Sequence, residues 1–211
     1  IEQLIKWKNK PYLDYSDFRN LGKTMVAKIV FNTDYINDDF FKIFAEANAI
    51  KVFSKSNFKI SPKILNNYNK ILNHYIDNPE PYSLIELCLS ATNNKEEIRH
   101  QIPHFIFPII GLFTTTIPRL LLLLCNHTNI FKKVLKEVNS IDNSYMNNYE
   151  NIYKLSYLRK CILETLRLNN PVITTFRTLT QDYSFDDKYS FKKGEQFLIL
   201  NNAVLREKEF F

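Results

Sequence analysis

Glu164 and Arg167 stand three residues apart in Glu164-Thr165-Leu166-Arg167, a spacing that on a helix brings a carboxylate and a guanidinium within pairing reach. Such a pair breaks no bonds. It either locks the helix to its surroundings or forms a solvated face with Lys160, and helix geometry alone leaves both readings open. Arg177, ten residues further on, presents a forked donor that matches a carboxylate; its alternatives are a strand arginine paired with Asp182 or left in water. Cys88, Cys125 and Cys161 are odd in number, far apart and without Cys-x-x-Cys spacing. That argues against a disulfide framework or zinc site and fits a reducing intracellular compartment. His100 and His104 form an i, i+4 pair with no accompanying carboxylate motif, so no metal site is expected.

The elements that must position these residues follow from periodicity. Leu155, Leu158, Ile162 and Leu166 put an apolar stripe opposite Lys160, Glu164 and Arg167. Asn169-Asn170-Pro171 stops this helix, because the residue before proline is pushed out of the helical region. Val172 to Thr180 reads as a strand, Tyr183–Phe185 and Tyr189–Phe191 as a hairpin around Asp186-Asp187-Lys188, and Lys193-Gly194 as a turn into a strand at Gln196–Leu200.

Upstream, Ile1 to Trp7 is the tail of a helix, with Trp7 a partly buried packing residue. Asp14 or Ser16 caps a helix to about Phe31; Asp38 to Phe53 and Ser61-Pro62 to about Ile76 are further helices, and Tyr82 to Ala91 is a short one. Asn93 with Glu96 approximates a capping box for a long helix over about 96–125. Ile102 to Cys125 is nearly all apolar and long enough for a membrane span, but His104, Arg119 and three prolines favour a kinked, buried helix. Phe131 to Val138 is amphipathic. No repeat or domain boundary is visible, so residues 1–211 read as a single partial domain: a helical part, 1–154, and a helix with short strands, 155–211.

The net charge of +6 is spread thinly with no basic run, which argues against a nucleic-acid footprint. Three glycines argue against a glycine-rich phosphate loop, and 45% apolar content against disorder. The chain starts at Ile1 and stops at Phe210-Phe211 within an amphipathic run, so both ends are expected to be cut.

The ordered succession of Glu164-Thr165-Leu166-Arg167, Pro171, Arg177, a hairpin, Lys193-Gly194, an apolar strand and Asn202-Ala203-Val204-Leu205-Arg206-Glu207 resembles the cytochrome P450 family of haem-thiolate monooxygenases. The resemblance implies a mainly α fold with a small β region, covering only the central part of a family member. It implies that the long helix crosses the distal face of the haem and that the helix from Asp38 roofs the substrate pocket, although its phenylalanines read equally well as core. Glu164 and Arg167 would form the family's buried structural ion pair, and Arg177 would donate to a haem propionate. Leu205-Arg206-Glu207-Lys208 stands where the family usually has His-Arg-Asp-Pro, the mark of a divergent member.

The departures matter chemically. Matched without gaps, the family's small-Gly-x-acid-Thr-Thr element falls on Pro108–Phe113, so Gly111 and Leu112 occupy the acid and threonine positions. A two-residue slip instead aligns Ile110–Thr115, restoring Thr114 and Thr115 but not the acid. A hydroxyl and a carboxylate relay protons; leucine and glycine cannot. The Phe-x-x-Gly-x-Arg-x-Cys-x-Gly loop that ligates iron is absent from these residues, as is the N-terminal sheet. The expectation is a central fragment whose full-length parent binds haem and oxidises or rearranges an apolar small molecule with electrons from a reductase. The chain alone is expected to be inactive and to hold no haem. The alternatives are a degenerate helical scaffold or binding module, or a membrane protein with one span at 102–125.

Overall fold

The computed structural model describes residues 6–49, 61–141, 152–186 and 188–207, the side chains of 45–49 excepted. The expected helical stretches at 1–5 and 50–53, Asp187 in its turn, and the chain from Lys208 onward lie outside these. Contacts group the chain into two compact units, Ile1–Thr115 and Thr116–Phe211.

In the first unit, α1 (Tyr15–Phe31) begins with a reciprocal capping box between Asp14 and Asp17 and ends at Asn32, whose φ of 48° closes the helix in the left-handed region. Two helices follow: α2 (Asp38–Ala49) and α3 (Pro62–Asp77). The short α4 (Leu84–Ala91) is capped by the Ser83 hydroxyl, which accepts from Glu86 N–H. Its start is later than the expected Tyr82, which instead adopts a positive φ of 61°.

Val26, Val30 and Phe31 of α1, Phe40 and Phe44 of α2, and Tyr68, Leu72 and Ile76 of α3 meet in one core. Phe40 stacks on Tyr68 at 4.9 Å and meets Phe31 edge-on at 5.4 Å, geometries that aromatic quadrupoles favour. The phenylalanines of α2 are therefore core residues. Trp7 is half-buried and packs edge-on against Phe18 at 5.0 Å, as a packing residue does.

The long helix begins with α5 (Lys95–Pro108), capped by Asn94 accepting from Glu97 N–H, one residue later than the expected Asn93–Glu96 box. Ile98, Ile102 and Ile106 form its buried stripe. It passes through a π turn at Ile109–Phe113 into α6 (Thr114–Asn126). Lys95–Asn126 is long and apolar enough to cross a membrane by length and composition, while its first half supplies core to the first unit.

In the second unit, α7 (Thr128–Asn139) packs on α8 (Ser156–Leu168). Four short strands follow: β1 (Thr174–Thr178), β2 (Tyr183–Phe185), β3 (Tyr189–Phe191) and β4 (Gln196–Leu200). β1 pairs antiparallel with β4, Phe176 opposite Leu198; β2 pairs with β3 around the expected turn, Ser184 opposite Ser190. The helical turn α9 (Asn201–Val204) closes the unit.

Candidate functional site

The Glu164–Arg167 pair forms on α8 as a two-pronged contact, Arg167 Nη2 to Glu164 Oε1 at 2.6 Å and Nε to Oε2 at 2.7 Å. Arg167 Nη1 also donates to the Leu205 carbonyl at 2.9 Å, and Arg206 returns the favour to the Leu168 carbonyl. The guanidinium beside Glu164 holds its carboxyl below the usual range. The pair is not buried as expected: 53% of the Glu164 side chain and 26% of Arg167 remain accessible. The physical reason lies in its surroundings. The carboxylate lies at the edge of a shallow cleft with Lys160 and Leu163, and its only described partner is one turn away on its own helix, so water completes its solvation. What the pair does is tie α8 to the Leu205 turn.

Arg177 is exposed on β1 and donates to the Phe176 carbonyl at 2.9 Å. Asp182, its alternative partner, is engaged elsewhere, accepting from Lys192 Nζ at 2.8 Å and Lys193 N–H at 2.9 Å. The guanidinium is thus an open cation on the strand surface, in a position to receive an anionic group.

Around the π turn, the two threonines differ. Thr114 continues the Ile102–Ile106–Ile110 stripe and is 1% exposed; its hydroxyl donates to the Ile110 carbonyl. Thr115 donates to the Gly111 carbonyl at 3.0 Å. Both protons are committed to helix carbonyls, which a π turn and nearby prolines leave short of partners. A Cβ on Gly111 would meet nothing within 4 Å, and Leu112 is exposed. The open side of the turn therefore carries Gly111 and Leu112, and Thr114 faces the core.

Two residues with structural roles gave no signal at the level of periodicity. Glu137, on α7, accepts the Tyr157 and Leu158 N–H groups at 2.8 Å each and so caps α8 from twenty residues away; these bonds hold its carboxyl below the ordinary range. Gly22, inside α1, lets Thr114 approach: a Cβ there would lie 2.9 Å from Thr114 Cγ2.

Haem-thiolate ligation requires a cysteine that is readily deprotonated. Burial pushes the Cys88 thiol up, and burial followed by the Glu137 carboxylate does the same to Cys161. Cys125 is exposed on α6. On this donor chemistry Cys88 and Cys161 are poor candidates for thiolate ligation of haem. Among the described residues no cluster of three or more His, Cys, Asp or Glu could hold a metal ion.

Comparison with known proteins gives a consistent result. The family model described as Cytochrome P450 matches residues 13–211. Cytochrome P450 52C1 of Candida tropicalis is 25% identical over 64% of this chain and 28% of its own length. The putative cytochrome P450 120 of Synechocystis sp. is 33% identical over 56% of this chain and 24% of its own. Among solved structures, retinoic acid-bound cyanobacterial CYP120A1 superposes with a TM-score of 0.79 at 22% identity, over 98% of this chain and 51% of that one. The cytochrome P450DA haem domain gives 0.80 at 19% identity, over 98% and 52%. The chain thus covers about half of these solved structures and about a quarter of the curated relatives. With the family model matching nearly its whole length, this chain belongs to the cytochrome P450 family.

Proposed function

We propose that this chain is the central portion of a haem-thiolate oxidoreductase whose whole protein oxidises or rearranges an apolar small molecule with electrons from a reductase. The observation that carries this reading is the family match over 13–211 in a chain that covers only half of its solved relatives. The likeness to a protein solved with retinoic acid supports an apolar substrate class. Haem in the whole protein supplies oxygen activation. This chain contributes the long helix, the Glu164–Arg167 clamp and, through Arg177, a cation for a haem propionate. The 211 residues alone hold no haem by thiolate and are inactive, in keeping with raised thiol pKa values at Cys88 and Cys161.

Gly111 and Leu112 are the haem-facing positions of the long helix. That register is supported by their open placement, while Thr114 is spent on the core. The same placement favours a second reading, a degenerate scaffold or binding module, since glycine and leucine cannot relay a proton. Three free cysteines support a reducing intracellular compartment.

The test is the reduced, carbon-monoxide difference spectrum after haem reconstitution, taken on this chain and on a form extended at both ends. A thiolate-type band from the extended form alone is the expected result. A band from the 211 residues themselves refutes the claim about ligation, and its absence from both leaves the scaffold reading.

A further inference from the structure

We infer that the first unit contains a binding cleft for a small aromatic carboxylate, built by α1, α2 and the π turn, with Arg19 as its anchoring cation. Tyr15, Arg19 and Lys23 recur every four residues on α1 and so project from one face. They border a cavity of about 230 Å³ together with Phe41, Phe44 and Gly111. Lys23 is already engaged, its ammonium 2.7 Å from Asp38 and 5.7 Å from the Phe41 ring centroid. Arg19 is half-buried, and among the described residues it has no acidic partner or hydrogen-bond acceptor. A guanidinium partly withdrawn from water without a carboxylate loses solvation that an incoming anion restores, through paired donors matched to a carboxylate.

Size and shape narrow the ligand. With about 30 Å³ per water, the cavity holds roughly eight waters' worth of ligand, enough for one ring and its acid group but below the usual drug-sized range. Phe41 and Phe44 supply the apolar wall, and the missing side chain at Gly111 opens the space, since a Cβ there touches nothing within 4 Å. The cleft shares Gly111 with the turn proposed above to face haem, but iron ligation plays no part in the inference, which stands on the geometry of the first unit alone.

Benzoate is the probe, titrated by calorimetry into the whole chain, with neutral benzamide as its control. Saturable one-to-one binding of benzoate is expected, with Arg19→Gln weakening it at least about tenfold, the scale of one charged hydrogen bond. Benzamide is expected to bind no better than benzoate does to that variant. Gly111→Asp places an internal carboxylate in the cleft and is expected to abolish benzoate binding, whereas Arg19→Lys retains part of it. Far-UV circular dichroism of each variant checks its fold. Absence of benzoate binding to the wild-type chain, equal binding of benzamide, or undiminished binding to folded Arg19→Gln each overturns the inference.

Discussion

Replacing Gly22 by alanine tests how the π turn is held against α1. Two opposing magnitudes decide the outcome. In a helix interior alanine is favoured over glycine by about 1 kcal/mol. Against this, the new Cβ would sit 2.9 Å from Thr114 Cγ2, and forcing a methyl into packed surroundings costs about 1–3 kcal/mol. Thr114 cannot easily yield: it is β-branched, 1% exposed, and its hydroxyl is tied to the Ile110 carbonyl. Gly22→Ala should therefore destabilise by about 1 kcal/mol. With a urea slope of about 2 kcal/mol/M, the midpoint falls by about 0.5 M. Thr114→Ser removes the obstructing methyl, at its own cost of about 1 kcal/mol. In that background Gly22→Ala should become stabilising by about 1 kcal/mol, a coupling of about 2 kcal/mol in a double-mutant cycle. Urea unfolding followed by far-UV circular dichroism measures all four proteins. If Gly22→Ala raises the midpoint in the wild-type background, or has the same effect in both, the close approach of Gly22 and Thr114 is refuted.

Two other perturbations read separate parts of the fold. Changing Glu137 to Gln removes its charge and one of the two oxygens that accept the Tyr157 and Leu158 N–H groups. Because those bonds depress its pKa in the folded chain, the stability it supplies is present above the unfolded value of about 4.3 and disappears as pH falls through the lower folded value. Wild type should thus be more stable than Glu137→Gln at pH 7, with the gap closing below about pH 4; a gap independent of pH in thermal melts would sink this account. Tyr68 is buried with a hydroxyl that has no hydrogen-bond partner among the described residues, and desolvation drives its pKa up. Tyr68→Phe should leave stability unchanged or raise it by about 1 kcal/mol, since a lone buried hydroxyl costs rather than contributes; a loss of more than about 1 kcal/mol in the same melts would reveal a partner.

Long, strongly periodic elements were legible in the linear sequence because their information is local. The stripe through Leu158, Ile162 and Leu166, the Asn169-Asn170-Pro171 stop and the Asp186–Lys188 turn each depend on a few neighbouring residues. The pairing of β1 with β4 follows from the same strands once Lys193-Gly194 turns the chain, Gly194 taking the positive φ of 91° that glycine tolerates. What stayed hidden depends on distance in sequence or on competition between partners. Glu137 reaches across to another helix, Gly22 answers to Thr114 ninety-two positions later, and Asp182 chooses Lys192 over Arg177. The degree of burial of Glu164 and Arg167 is likewise set by what packs over them and not by their spacing. The cap of α5 moved by one residue because Asn93 and Asn94 are chemically equivalent at that end.

The π turn at Ile109–Phe113 has a consequence for how the long helix tolerates a change in length. A turn of this kind fits one more residue than an α-helical turn between the same flanking segments. Deleting a single residue within it would close the turn to ordinary α-helix while leaving the Ile98–Ile102–Ile106 stripe upstream and α6 downstream in their places. Length changes that would scramble a helix elsewhere can thus be absorbed at this point.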